Sequence, residues 1–86
     1  MTYYVYLIQT EKKINNKFIS YVGYTNNLKN RLKKHNLGKG AKITRGRKWK
    51  LIFFKKYNYK NIAMREEYKL KKNYSLRSRI KNSYFF

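Results

Sequence analysis

The 86-residue chain has no cysteine, no proline and no aspartate, and its acidic side chains number three: Glu11, Glu66 and Glu67. Without cysteine there is no disulfide and no thiolate zinc site, and the redox setting of the compartment is left open. Without aspartate, any hard metal ion must take its protein carboxylate from those three glutamates. No apolar run approaches the roughly 20 residues needed to span a bilayer. The opening MTYYVYLIQT has neither a basic n-region nor a small-residue cleavage site, so no signal peptide is expected and an intracellular location, cytoplasm or nucleus, is the expectation.

Against those absences stand 23 lysines and arginines and a formal net charge of +20. Self-repulsion of that size opposes a compact state and is relieved by a polyanion. Nucleic acid is the first such partner, because Lys and Arg contacts to phosphate release counterions and bind without regard to base sequence. A membrane surface fits less well, since the basic residues are spread along the chain and no long amphipathic helix collects them. A bias toward Lys, Asn, Ile and Tyr accounts for part of the composition, but not for the near absence of acids.

The aromatic and branched run over residues 3–9 has the composition of a strand buried on both faces. Asn15-Asn16 tolerates the left-handed conformation of a hairpin turn, and Phe18 to Tyr24 reads as the second strand. Thr25 or Asn26 is placed to cap a helix over residues 27–37, on which Leu28, Leu32 and His35 share a face, with Gly38 where a C-terminal cap belongs. A basic, glycine-rich loop over 38–47 leads to a third strand, Trp49 to Tyr57, with Trp49 expected in the core. A helix over Lys60 to Lys72 follows, and Ser75 can cap a last short helix, Leu76 to Asn82. The expected fold is α+β: a small mixed three-stranded sheet flanked by helices, in the order ββαβα with a short C-terminal helix, forming a single domain over residues 1–86.

Cleaving a phosphodiester requires an activated water, neutralisation of charge on the phosphorus oxygens, and help for the departing 3′ oxygen. Glu11 falls in the hairpin loop, so Glu66 and Glu67 remain as metal ligands, and helical spacing alone does not separate them. Arg31 and His35 lie one turn apart on one helix face. Arginine presents a fixed fork of donors suited to phosphate. His35 is either a core histidine continuing the leucine stripe or a proton carrier that titrates near neutrality. Lys39, Lys42, Thr44, Arg45, Arg47 and Lys48 read as a phosphate-contacting loop.

In order along the chain, Tyr4-Val5-Tyr6, Tyr21-Val22-Gly23, the segment Leu28 to His35, the loop GKGAKITRGRKW and Ala63 to Tyr68 resemble the GIY-YIG endonuclease superfamily. The loop is similar to that of its compact stand-alone, UvrC-like branch. The resemblance implies a metal-dependent endonuclease that hydrolyses DNA phosphodiester bonds in repair or recombination, using one Mg²⁺ or Mn²⁺ ion. It selects Glu67 as the metal ligand and catalytic glutamate, Arg31 as the holder of the scissile phosphate, Tyr6 as general base for water, and Tyr21 as the partner of Tyr6 or a phosphate ligand. The phenol, normally near about 10, is expected to be lowered by Arg31 and the ion. His35 is the further catalytic candidate. Duplex, branched or single-stranded DNA is the implied substrate; with no separate recognition domain in so short a chain, any site specificity is expected to come from DNA shape or from a partner protein. The alternative reading is a non-catalytic basic DNA- or RNA-binding module of the same fold. One departure stands out: Tyr4 occupies the place of the glycine in the family's first triplet.

Overall fold

The computed structural model describes residues 1–85. Its order is β1 (Tyr3–Thr10), β2 (Ser20–Thr25), α1 (Leu28–Asn36), a short 3₁₀ turn (Lys42–Thr44), β3 (Trp49–Tyr57), α2 (Lys60–Lys72) and α3 (Tyr74–Phe85). The α+β class and the ββαβα order with a C-terminal helix agree with expectation. The sheet itself is antiparallel throughout, in the order β2-β1-β3, rather than mixed. The reason is that β1 lies between the other two strands. The connection through α1 returns the chain parallel to β2, but β3 is laid down on the far edge of β1, so every hydrogen-bonded pair is antiparallel.

Asn15 and Asn16 take φ of 52° and 65° between the bridged residues Ile14 and Lys17, the left-handed pair that a tight hairpin needs. The α1 cap falls one residue beyond the two expected: Asn27 Oδ1 accepts from the Asn30 amide at 3.1 Å, while Thr25 Oγ1 accepts from the Asn27 amide at 3.1 Å. At the other end Gly38 has φ +74°, its amide donates to His35 O at 3.2 Å, and Lys39 N donates to Lys34 O at 2.8 Å, which together close a Schellman cap. The last helix is longer than expected and starts before Ser75, because Asn73 Oδ1 accepts from the Leu76 amide at 3.0 Å and nucleates it earlier. Arg77 then donates to the carbonyls of Leu70 and Lys71, holding α3 against the open end of α2.

Central position buries β1 on both faces and explains its unbroken apolar run. One face gathers Val5, Leu7 and Val22 under Ala63 and Leu70 of α2, with Leu76 and Ile80 of α3 packed alongside. The opposite face gathers Tyr6, Ile8 and Trp49 under Leu28 and Leu32 of α1. Alternation along β1 thereby sends Tyr6 to the α1 face. A bulge in β3 opposite Leu7 and Ile8 adjusts the register so that both Phe53 and Leu51 meet β1 on the correct faces.

Gln9 is fully buried, and both atoms of its amide lack a hydrogen-bond partner. An unsatisfied buried amide costs about 1–3 kcal/mol. Gln9→Met, which fills the same space without a polar group, is expected to raise stability by about 1 kcal/mol and the thermal midpoint by roughly 4–8 °C for a domain of this size. Calorimetry checks this, and an unchanged or lower midpoint contradicts it.

Candidate active site

Three elements deliver side chains to one buried point. Tyr6 comes from the middle of β1, His35 from the last turn of α1 and Thr44 from the 3₁₀ turn; all three are essentially shielded from solvent. The Tyr6 hydroxyl lies 2.8 Å from His35 Nε2, and His35 Nδ1 lies 2.9 Å from Thr44 Oγ1. Thr44 Oγ1 donates to the Ala41 carbonyl at 2.7 Å. A carbonyl only accepts, so that bond spends the hydroxyl proton of Thr44, which must then accept from Nδ1–H. The imidazole is therefore the Nδ1–H tautomer, with a bare Nε2 that accepts the Tyr6 proton. Arg31 Nε donates to the same phenol oxygen at 3.4 Å.

Two glycines make room for this chain. A methyl group at Gly23, opposite Tyr6 in the β1–β2 ladder, would overlap the Tyr6 hydroxyl, and one at Gly40 would overlap His35 Nδ1. The loop is held in place by Trp49, which is buried as expected. Its indole Nε1 donates to Thr44 O at 2.9 Å, and Asn36 of α1 exchanges two hydrogen bonds with the Trp49 backbone.

Electrostatics follow from burial. Desolvation lowers His35 to about 4, with the Arg31 charge adding to the effect, so the ring is neutral at pH 7. Desolvation also raises the Tyr6 phenol above its ordinary value. Hydrogen bonding and charge from Arg31 pull the other way without prevailing, and Tyr21 and Glu67 add to the rise. Arg31 alone does not bring this phenol below its ordinary value, because taking the phenolate out of water outweighs one guanidinium.

Tyr21, half-buried on β2, stands with its ring 5.3 Å from that of His35 and tilted at 60°. The two α2 glutamates differ in their surroundings. Glu66 lines a pocket with Val5, Tyr57 and Leu70, where burial first and the Glu66 charge second raise the Tyr57 phenol, whereas the Glu67 charge adds the smallest part of the rise at Tyr6. The Glu67 side chain is 16 % exposed and its carboxylate pairs with Lys71 Nζ at 3.2 Å, one turn on. Lys71 Nζ also lies 6.0 Å from the Tyr21 ring centroid. Among the described residues no group of three His, Asp or Glu side chains converges as a metal cage. One partly buried carboxylate is nonetheless the donor set suited to Mg²⁺, which keeps most of its waters and takes further oxygens from a substrate phosphate.

Of the loop residues read as phosphate contacts, Lys39, Lys42, Arg45 and Lys48 are exposed. Arg47 is half-buried and donates to Ile43 O at 2.7 Å. Thr44 is a correction: it faces inward at 0 % exposure, because its hydroxyl bridges Ala41 and His35, and it is not a surface contact. Sequence reasoning also missed Gly40, whose role depends on a ring five residues back, and Lys71, which the helical spacing from Glu67 had placed within reach.

The model of the GIY-YIG catalytic domain matches residues 2–82. The UPF0213 protein OB0043 of Oceanobacillus iheyensis is 44 % identical over 70 residues, covering 80 % of this chain and 76 % of that protein. The UPF0213 protein CPE1444 of Clostridium perfringens is 43 % identical over 70 residues, covering 80 % and 70 %. A solution NMR structure of the UPF0213 protein BH0048 of Bacillus halodurans shares 40 % identity over 83 % of this chain and 71 % of that one, with a TM-score of 0.44. The family match places the protein in a nuclease superfamily. The chain belongs to the GIY-YIG family, among its compact members.

Folding lowers the imidazole from about 6.5 in the free side chain to about 4. Between those values the unfolded chain binds the additional proton, so stability is present above pH ~6.5 and is lost as the pH falls toward 4, by up to about 3 kcal/mol. His35→Gln is expected to flatten that decline, and equal pH slopes for the two proteins contradict it. Thr44→Val, which keeps shape but strips the hydroxyl from His35 Nδ1–H and Ala41 O, is expected to cost about 2–3 kcal/mol in urea unfolding, while Thr44→Ser recovers most of it. Full stability in Thr44→Val contradicts the assignment.

Proposed function

We propose that the protein is a metal-dependent endonuclease that hydrolyses DNA phosphodiester bonds at the Tyr6–His35–Arg31–Glu67 site. The observation that carries this reading is the directed hydrogen-bond chain from Arg31 through Tyr6 and His35 to Thr44. Such a chain supplies a route for a proton. A water that loses its proton to the Tyr6 oxygen while Tyr6 passes its own to His35 Nε2 never creates a buried phenolate, which desolvation disfavours. The product is an imidazolium held by Thr44, which burial and Arg31 also disfavour, so the relay depends on the anionic scissile phosphate to offset its charge.

Arg31, bonded through Nε to Tyr6, has its Nη donors left to hold that phosphate beside the activated water. Tyr21 flanks the imidazole and supports the same pocket wall. Glu67 would hold a single Mg²⁺ or Mn²⁺ ion, its pairing with Lys71 giving way. When bound, the ion supplies charge neutralisation at the phosphate and assistance to the leaving 3′ oxygen. The basic loop residues Lys39, Lys42, Arg45, Arg47 and Lys48 extend the positive surface along which a strand lies.

The Glu67–Lys71 pair is also what a module that only grips nucleic acid would show, since it leaves the carboxylate already neutralised. Incubation with branched, duplex and single-stranded DNA separates the two readings. Cleavage that requires Mg²⁺ or Mn²⁺ and falls roughly 10²–10³-fold in Glu67→Ala is the expected result. Tight, salt-sensitive binding with no hydrolysis of any form, or equal hydrolysis by Glu67→Ala, overturns the enzyme reading.

A further inference from the structure

Tyr4 and Phe54 lie on the α1 face of the sheet, beside the site but outside it. Residues 4 and 6 of β1 point to the same side, about 7 Å apart at the rise of an extended strand. Phe54 is the direct cross-strand partner of Tyr6. The two rings meet edge to face, with centroids 6.0 Å apart and planes at 65°. Neither belongs to either core cluster, and Phe54 remains 47 % exposed. They line an open groove of about 350 Å³ together with Leu28, Lys29 and Lys56. That volume falls in the range of small-molecule sites.

We infer that this groove is a base-stacking subsite, in which Phe54, braced by Tyr4, stacks one unpaired base of the nucleic-acid strand that enters the active site. The inference rests on the proposal that this face binds nucleic acid. Phe54 meets Tyr4 edge to face and still leaves 47 % of its surface to water, and every nucleobase offers a π-surface to such a ring. The surroundings carry the matching charge: Lys29 and Lys56 flank the rings with no carboxylate among the lining residues, as a phosphate on either side of a stacked base requires. Because Phe54 is paired to Tyr6, the stacked base belongs to a nucleotide next to the bond that is cut. A fully paired duplex keeps its bases stacked on one another and cannot use the groove, so the subsite favours substrates with an unpaired segment. Tyr4, which stands where the family's first triplet has glycine, provides the bracing ring that a glycine cannot.

Binding measured by fluorescence anisotropy without divalent metal tests this independently of hydrolysis. Labelled single-stranded and duplex oligonucleotides are compared for the wild type, Phe54→Ala, Phe54→Trp and Lys56→Gln. Phe54→Ala is expected to weaken single-strand binding about tenfold and duplex binding less than about twofold, with Phe54→Trp restoring the single-strand affinity. A 2-aminopurine base in the single strand is expected to lose fluorescence on binding to the wild type and not to Phe54→Ala. Lys56→Gln is expected to weaken both forms equally and to lower the salt slope by about 1. Equal losses on both forms in Phe54→Ala, or no loss on either, overturn the subsite; circular dichroism of each variant separates these outcomes from unfolding. A protein that binds single strands through Phe54 yet cleaves nothing leaves the subsite standing while the enzyme reading falls.

Discussion

The structure depends on one buried histidine whose two ring nitrogens are both committed. Thr44, held from below by the Ala41 carbonyl, takes the Nδ1 proton, which leaves Nε2 to accept from Tyr6. Each of these groups is removed from water, so each bond is stronger than it would be outside and each loss more costly. The demand spreads outward. Gly23 and Gly40 exist as glycines because the phenol and the imidazole occupy the space a side chain would need. Trp49 and Asn36 fix the loop and the end of α1 relative to each other, and so fix the partners of the ring.

Burial that gives this chain its geometry also sets its chemistry. It drives the phenol up and the imidazole down, so the Tyr6–His35–Thr44 relay is neutral at rest despite a net charge of +20 on the protein. A neutral, oriented relay beside Arg31 and Glu67 is suited to moving a proton when an anion arrives, without storing a charge beforehand. The cations that dominate the composition stay outside, where they attract and hold a polyanion.

Much of the scaffold was legible because local physics determines it. β3 and α2 begin and end where their composition and periodicity place them, and Asn15-Asn16 turns the hairpin in the left-handed conformation its side chains allow. Caps were legible to within one or two residues, since Thr25, Asn26 and Asn27 all offer the same chemistry and the winner is set by where α1 meets the sheet. The strand directions were not, because which edge of β1 receives β3 is a tertiary matter. Thr44 illustrates the harder limit. Among lysines, arginines and glycines it reads as one more surface phosphate contact, and only the fold reveals that the loop turns inward over His35, nine residues earlier in the chain. Glu66 and Glu67 are equivalent by helical spacing, and in the sequence only the family resemblance separates them.

The central claim is that folding commits His35 to the Nδ1–H tautomer with Nε2 accepting from Tyr6. Long-range ¹H–¹⁵N correlation NMR of the single histidine at pH 7 tests it directly. The account predicts a neutral ring with a protonated Nδ1, a bare Nε2, and a shift of the Nε2 resonance in Tyr6→Phe. A protonated Nε2, or an Nε2 resonance indifferent to loss of the Tyr6 hydroxyl, would contradict it.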